Sequence, residues 1–144
     1  MSYATQAELL VRIGTVNAGL YRGSGGTTDS TAAQADLDAA SAEIDTYIGC
    51  RYRLPVDQSN ALALLKIWAM TLAEELAWSR SGKIELPKGV AARVEYIRKQ
   101  LTAIAEGKLQ LPGAEEKTAA DGGAKLSIAA GAEPVFTRDK MGGF

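Results

Sequence analysis

The sequence is most informative in what its 144 residues lack. It contains no histidine and a single cysteine, Cys50. A Ser-His-Asp triad, a Cys-His pair and a histidine-ligated metal site are therefore excluded. One cysteine can form neither an internal disulfide nor a Cys₄ zinc site, so Cys50 is expected to be a reduced thiol in the core. These absences predict a protein that is not an enzyme and that needs no cofactor.

Charge of one sign and long apolar runs are also missing. The 16 Lys and Arg residues are balanced by 17 Asp and Glu residues, which gives a formal net charge of −1. No strong attraction to nucleic acid phosphates or to anionic lipid is therefore expected. The longest apolar stretch, residues 61–77, contains Lys66 and two glutamates, so it does not predict a membrane span. No signal peptide is visible, and a cytoplasmic-type compartment is expected.

Alanine is abundant, with 25 residues, whereas large apolar side chains are few. Leu, Ile, Val and Phe together account for 31 of the 144 residues. This share lies just above the level of about 20% below which disorder is expected, although the low net charge argues against global disorder. The composition predicts a small Ala-rich helical body with a thin core, and a segment that becomes ordered only against a partner.

Helical periodicity and capping residues predict four helices. The first begins at a capping box formed by Thr5 and Glu8 and is weakened or ended by Gly14. The others are predicted over residues 31–48, 59–81 and 89–106. The last of them carries an apolar seam that indicates either the core of the bundle or a subunit contact, formed by Val90, Val94, Ile97, Leu101 and Ile104. The predicted fold class is all-α: a small four-helix-type bundle with a long Gly-rich loop and an extended C-terminal arm.

Two segments lack a core-forming pattern. Residues 19–30 include the run RGSGGTTDS and are predicted to be a flexible loop without a packed element. From Leu109 onward the apolar residues are isolated, so residues 1–111 are predicted to form the helical body and residues 112–144 the arm. Residues 125–128 and 135–136 are candidates for short strand-like segments when the arm is docked.

Two groups of residues resemble reactive sites without meeting the requirements of one. Residues 22–28 resemble a phosphate-binding loop, but they lack the lysine and the preceding strand that such a loop needs. Carboxylates recur on the second and third helices, but neighbouring helical positions point in different directions, which favours solvated helix faces over a metal site or an acid/base pair. These carboxylates are Asp36, Asp38, Glu43, Asp45, Glu74 and Glu75.

The triplet Arg51-Tyr52-Arg53 alternates basic and aromatic residues, as nucleic-acid-binding segments do. No wider basic stripe accompanies it. Tyr52 is therefore expected to pack at the corner between the second and third helices, and the arginines to pair with acids of this chain or of a neighbouring one. The third helix is apolar around most of its circumference, so Trp68 and Trp78 are expected to pack in the core or in an interface.

Several segments together resemble a known family. They are residues 3–9 (YATQAEL), 40–55 (ASAEIDTYIGCRYRLP), 101–109 (LTAIAEGKL) and 136–139 (FTRD). The combination is similar to the small helical neck proteins of Mu-like tailed phages and prophages, which are related to the head–tail connectors, or adaptors, of long-tailed phages. The resemblance covers the body from Tyr3 to about Leu111, and the rest of the chain more loosely.

The resemblance implies a non-enzymatic virion protein of the neck, present in the host cytoplasm during assembly. Copies would form a homo-oligomeric ring, commonly of twelve, between the portal protein and the stopper or tail-completion protein. The ring would extend the DNA channel without sequence-specific DNA binding and without contact to a membrane.

The resemblance further implies that the C-terminal arm docks on the portal. The candidate contacts in this arm are Leu126, Ile128, Val135, Phe136, Arg138, Asp139 and Phe144. The residues expected to shape the corner between the second and third helices are Tyr47, Arg51, Tyr52 and Pro55.

The alternative function is that of a small helical DNA-binding or regulatory protein. Such a protein would need a basic face and would bind DNA in a salt-sensitive manner. The lysines and arginines are instead spread along the chain, which favours the connector hypothesis.

Overall fold

The computed structural model of the chain describes residues 2–14, 19–22, 27–57, 59–82 and 85–118. These residues form four helices: α1 (Gln6–Ile13), α2 (Ser30–Ile48), α3 (Ser59–Arg80) and α4 (Lys88–Ala105). Within the described ranges there is no strand, only two isolated antiparallel bridges. The predicted all-α, four-helix fold is confirmed. In this part of the chain, no helix has the length and apolar character needed to cross a membrane.

Helix α1 begins and ends where its sequence predicts. The Thr5 hydroxyl accepts the N–H of Glu8 at 3.4 Å, and the Glu8 carboxylate accepts the N–H of Thr5 at 3.1 Å, which completes the capping box. Gly14 ends the helix with a φ of +68°, a conformation that glycine adopts without steric cost. Leu9 and Ile13 bury the inner side of the helix in the core.

Helix α2 is capped by Asp29, whose carboxylate accepts the N–H of Ala32 at 2.9 Å. One stripe of α2 faces the other helices, and its buried members include Leu37, Ala40, Ser41, Ile44 and Ile48. Alanine and serine in this stripe keep the side chains short, so that neighbouring helices can approach closely. The stripe therefore supplies one wall of a thin core.

Helix α3 is the central element and packs against each of the other three helices. Leu65 and Leu72 are fully buried, Trp68 is buried, and Trp78 is partly buried against the core. The packing role predicted for both tryptophans is confirmed. Ile67 is nevertheless half-exposed, so α3 is not covered on all sides within this body.

Helix α4 buries its whole predicted seam. This burial decides between the two interpretations of the seam, because the seam forms the core of the bundle and not a subunit contact. Val90, Val94, Ile97, Leu101 and Ile104 all belong to the core of the bundle. The remaining faces of α4 carry polar and exposed side chains, among them Tyr96 and Lys99.

The side chain of Arg98 on α4 joins three helices. Its guanidinium donates to Glu43 of α2 at 2.8 Å and to Glu75 of α3 at 2.8 Å. The hydrogen bond to Glu43 is the largest influence on the pKa of Arg98 and raises it; burial opposes this, and the hydrogen bond to Glu75 raises the pKa further. The expectation that these two carboxylates lie on solvated helix faces is therefore wrong, because each has a partner on another helix.

Glu74 and Asp36 were also expected on solvated faces, and both are instead buried. Both carboxylate oxygens of Asp36 have partners. The Tyr21 hydroxyl donates to one carboxylate oxygen at 2.8 Å, and Arg80 donates to the other at 2.7 Å. The Arg80 guanidinium also lies 5.2 Å from the centre of the Tyr21 ring. Burial, followed by the hydrogen bond to Asp36, raises the pKa of Tyr21. The acid is tolerated inside because both of its oxygens have partners.

The Gly-rich stretch is anchored more firmly than its composition indicates. Leu20 and Tyr21 are both buried, so the prediction that residues 19–30 contain no packed element is wrong at its first residues. Arg22 and Thr28 form an antiparallel bridge. The glycines between them, Gly23 to Gly26, lie outside the described residues.

Cys50 is exposed, which corrects the expectation of a core thiol. Helical periodicity explains the difference, because Cys50 follows Thr46 by four residues and continues the exposed side of α2. Its sulfur lies 3.6 Å from the Thr46 carbonyl oxygen, within reach of a weak hydrogen bond.

Candidate functional site: the corner between α2 and α3

The corner comprises residues 49–57, which turn the chain from α2 into α3. The N–H groups of Arg51 and Tyr52 both donate to the carbonyl oxygen of Ile48, at 3.0 and 2.9 Å, and so close the end of α2. Pro55 keeps Leu54 out of a helix, and the peptide bond between them is cis. The helix end and the proline together fix where Arg51 and Tyr52 sit.

Tyr52 connects the corner to the segment that follows α4. Its side chain is only 1% exposed, and its hydroxyl oxygen accepts the N–H of Leu111 at 2.9 Å. Leu111 is itself buried. The predicted packing of Tyr52 at the corner is confirmed, and its polar atom holds residues more than fifty positions later in the chain.

Residues 51–53 pair with residues 115–117 in the manner of two short antiparallel strands. The N–H of Arg53 donates to the Glu115 carbonyl oxygen at 2.9 Å, and the N–H of Lys117 donates to the Arg51 carbonyl oxygen at 2.7 Å. Tyr52 and Glu116 form the bridge between these two bonds. The Lys117 ammonium group also hydrogen-bonds the Gly49 carbonyl oxygen. The beginning of the predicted arm is thus attached to the body of its own chain.

Arg51 makes three further contacts at this point. Its guanidinium pairs with Glu116 at 3.0 Å, donates to the Ile104 carbonyl oxygen at 3.4 Å and lies 5.7 Å from the centre of the Tyr52 ring. A cation beside the last carbonyl groups of α4 is favoured by the helix dipole. The same guanidinium packs against Gly107, where an added Cβ would lie 3.1 Å from the Arg51 Nη1 atom.

Arg53 pairs with Glu115 at 3.8 Å, and both side chains are largely exposed. An exposed ion pair of this length contributes little to stability. The arginines of the triplet were expected to pair with acids of this chain or of a neighbouring one. The structure shows that Arg51 and Arg53 both pair with acids of their own chain. A nucleic-acid role for the triplet is not supported, because Arg51 and Arg53 are engaged by carboxylates within the corner.

Tyr47 and Pro55 have packing roles beside this pairing. Tyr47 is partly buried against the core. Pro55 lines a small cavity together with Tyr3, Asp45 and Leu62. The Tyr3 hydroxyl hydrogen-bonds Asp45, and burial together with this bond raises the pKa of Tyr3. The four predicted corner residues therefore lie in one region, and Arg51 and Tyr52 bond to the returning segment, residues 111–117.

The predicted portal contacts of the arm are not part of the described structure. Leu126, Ile128, Val135, Phe136, Arg138, Asp139 and Phe144 all lie outside the described residues. The boundary between body and arm at residues 111 and 112 stays a prediction. Across the described ranges, no three His, Cys, Asp or Glu side chains are grouped as metal ligands.

The family model for bacteriophage Mu Gp36 matches residues 3–129, a span that includes all four helices, the corner and the returning segment. The chain belongs to the Mu Gp36 family. No curated protein matches it. Membership of the Mu Gp36 family confirms the resemblance to Mu-like phage proteins and supports a structural or morphogenetic role in the phage.

The returning segment is the part of this Mu Gp36 family structure that the sequence did not predict. Isolated apolar residues after Leu109 gave no helical or strand periodicity. A usable signal was nevertheless present, because the acids Glu115 and Glu116 complement the basic triplet at residues 51–53. Charge complementarity between two loops is weak evidence by itself, since surface ion pairs are common and contribute little.

Proposed function

We propose that this chain is a head–tail connector, or adaptor, of a Mu-like phage. Copies form a homo-oligomeric ring, of twelve as in related connectors, between the portal protein and the stopper or tail-completion protein. The ring extends the DNA channel and has no enzymatic activity. It resides in the neck of the virion and in the host cytoplasm during assembly. The observation that carries this proposal is the Mu Gp36 family match across the whole helical body.

The body has features suited to a passive channel segment. Its net charge is close to zero, so DNA is not gripped through its phosphates as it passes. Ion pairs join the helices, as Arg98 does for α2, α3 and α4. Alanine supplies as many of the buried core residues as leucine does, seven each in the described part of the chain, and such a small core is a further reason for a protomer to be supported by its neighbours.

The corner gives the arm a fixed starting point. Residues 115–117 are paired with residues 51–53, so the chain leaves the body next to the end of α2. The 26 residues from 119 to 144 span up to about 85 Å when extended. That reach suffices for contact with a neighbouring protein, and Phe136, Arg138 and Asp139 are the residues we propose for the latch on the portal.

The connector role is tested by locating the chain in purified virions. Immunogold labelling or reconstruction of the neck is expected to place it in a ring directly below the portal. A position in the capsid shell, tail tube or baseplate would refute the connector role.

The latch is tested by deletion of residues 132–144. The shortened chain is expected to keep its helical circular dichroism, because the deleted residues lie far beyond α4, and to lose its co-sedimentation with DNA-filled heads. Alanine substitution of Phe136, Arg138 and Asp139 together is expected to act similarly, whereas Thr137→Ala is the matched control. Retention of the shortened chain on heads would show that the arm is not the latch.

The DNA-binding alternative makes a different prediction. It requires tight binding of duplex DNA that weakens steeply as salt rises. We expect fluorescence anisotropy with the full chain to detect no such binding at 0.15 M salt, and sub-micromolar, salt-sensitive binding would favour the alternative.

A further inference from the structure

One side of the bundle carries an unusual share of exposed apolar surface. A groove between α1, α3 and α4 is lined by Arg12, Ile67, Trp68, Thr71, Arg93 and Tyr96, among others. Ile67 is 50% exposed and Tyr96 60%, and Val11, in a shallower groove that shares Arg12, is 82% exposed. These are three of the six large apolar residues exposed in the described part of the chain. Such a concentration marks an interaction surface.

Two arginines flank this apolar groove. Arg12 donates to the Thr71 hydroxyl at 2.7 Å, and Arg93 donates to the Gly89 carbonyl oxygen at 3.0 Å. Among the described residues, neither arginine forms a salt bridge within 4.0 Å. Burial is the largest influence on the pKa of Arg12 and lowers it; the charge of Glu74 opposes this, and the charge of Arg93 adds a smaller lowering. A partner that brings a carboxylate to the groove would relieve this repulsion.

The outer face of α2 has the complementary character. Ala35, Asp38, Ala39 and Ala42 are exposed and, at 3.6 residues per turn, lie opposite the buried stripe of this helix. Small side chains give a flat surface on which another helix can approach closely. The one charged member, Asp38, is exposed, and its carboxylate accepts a hydrogen bond from Gln34 at 3.0 Å.

We propose that the outer face of α2 in one copy docks into the α1/α3/α4 groove of the next copy, with Asp38 facing Arg93. Tyr96 and Ile67 cover the alanines, and Arg12 lies at the rim. The proposal rests on the ring proposed above and assigns its lateral contact. The groove contains no residue of α2, so each copy offers two different surfaces. A contact between different surfaces is heterologous and can close into a ring.

The C-terminal segment of the chain is a poorer occupant of the same groove. Residues 119–144 carry three acids and three cations and so have no net charge. A segment without net negative charge would not offset the two arginines of the groove. Charge complementarity therefore favours the α2 face of a second copy.

A charge exchange tests the proposed contact in the full chain. Arg93→Asp and Asp38→Arg are each expected to weaken self-association about tenfold or more, and the double variant to recover to within about threefold of the original. Self-association is measured by sedimentation of the purified chain and by the number of copies retained per assembled head. Lys99→Asp is the matched control, because Lys99 is an exposed cation of α4 that does not line the groove.

A pair of cysteines tests the geometry independently. In a Cys50→Ser background, Ala42→Cys with Tyr96→Cys is expected to give a ladder of dimers and higher oligomers when assembled particles are oxidised. Each single variant is expected to give none. A cysteine placed at residue 136 is instead combined with Tyr96→Cys in another variant. Cross-linking of this pair, without cross-linking of the Ala42→Cys pair, would show that the arm occupies the groove and would overturn the proposal.

The outcomes separate this contact from the connector role. Unaltered rings in the necks of Arg93→Asp and Asp38→Arg particles, with no cysteine ladder, would refute the contact and leave the connector role standing. Absence of the unmodified chain from the neck would refute the connector role itself.

Discussion

The hydroxyl oxygen of Tyr52 accepts the backbone N–H of Leu111 at 2.9 Å, and both residues are buried. This single bond joins the α2–α3 corner to the segment that follows α4. It lies beside the pairing of residues 51–53 with residues 115–117, so the tyrosine fixes the point from which that pairing begins. Removal of the hydroxyl leaves a buried N–H without its partner, which is costly.

Tyr52→Phe is therefore expected to destabilise the protein by about 1–3 kcal/mol. Amide hydrogen exchange at residues 111–117 is expected to accelerate, while exchange in the centre of α3 changes only as far as global stability does. Tyr47→Phe is the control, because Tyr47 is only partly buried. Equal exchange at residues 111–117 in the Tyr52→Phe and original proteins would contradict the proposed role of this hydroxyl.

Gly107→Ala is expected to be destabilising for two reasons. Its φ of +81° is unfavourable for any residue with a Cβ, and that Cβ would lie 3.1 Å from the Arg51 guanidinium. Gly82 is a matched control, because its φ is +68° and its surroundings leave room for a Cβ. Urea denaturation is expected to show that the free energy of unfolding falls by about 1 kcal/mol in Gly82→Ala and by more in Gly107→Ala. An equal loss would mean that Arg51 moves aside freely.

Asp36→Asn tests the buried hydrogen bonds that join Asp36 to Tyr21, at the start of the Gly-rich stretch, and to Arg80. The Asn amide offers one acceptor oxygen where the carboxylate offers two, one for the Tyr21 hydroxyl and one for the Arg80 guanidinium. Chemical denaturation is therefore expected to show a loss of about 2 kcal/mol in the free energy of unfolding. The double variant with Tyr21→Phe is expected to lose less than the sum of the two single changes, since both remove the same bond. Strict additivity would show that Tyr21 and Asp36 are not coupled.

Alkaline pH is expected to weaken the fold through Tyr3 and Tyr21. Both have a pKa raised above the ordinary value of 10.0 by burial and by a hydrogen bond to an aspartate. Below pH 10.0 each tyrosine is protonated in both the folded and the unfolded chain, so its contribution to the free energy of unfolding is constant. Above it the unfolded chain loses the proton and the folded chain retains it, so stability falls as pH rises. Urea denaturation between about pH 8 and 11 is expected to show a shallower decline for Tyr21→Phe than for the original protein.

Cys50 is expected to react with a thiol reagent in the folded state. The residue is exposed, so modification should proceed without prior unfolding and leave the far-UV circular dichroism unchanged. Reaction that becomes detectable only above the unfolding midpoint in urea would indicate a protected thiol.

The helices could be predicted because each carried its own local signals. The capping box at Thr5 and the five-residue seam of α4 depend on neighbours in sequence, and both are confirmed. The corner was predicted partly for the same reason, since Tyr52 follows a helix end and precedes a proline. Propensity and periodicity act over a few residues and need no knowledge of distant contacts.

Apart from Cys50, whose exposure follows from the periodicity of α2, most of the misjudged positions depend on distant partners. Asp36 is buried because Tyr21 and Arg80 meet its carboxylate from elsewhere in the chain, and periodicity alone treats an acid as exposed. Residues 115–117 pair with the corner across more than sixty positions. Buried polar networks and loop pairing follow from the tertiary fold, and so a single sequence does not reveal them.

Arg98 has a mechanical consequence. One side chain of α4 is bonded to carboxylates of α2 and α3, so a sideways push on any of these helices is shared among all three. Sliding or rotation of a single helix would stretch at least one of the two ion pairs. These two ion pairs resist shear in addition to the packed core, and Arg98→Ala would remove both of them at once.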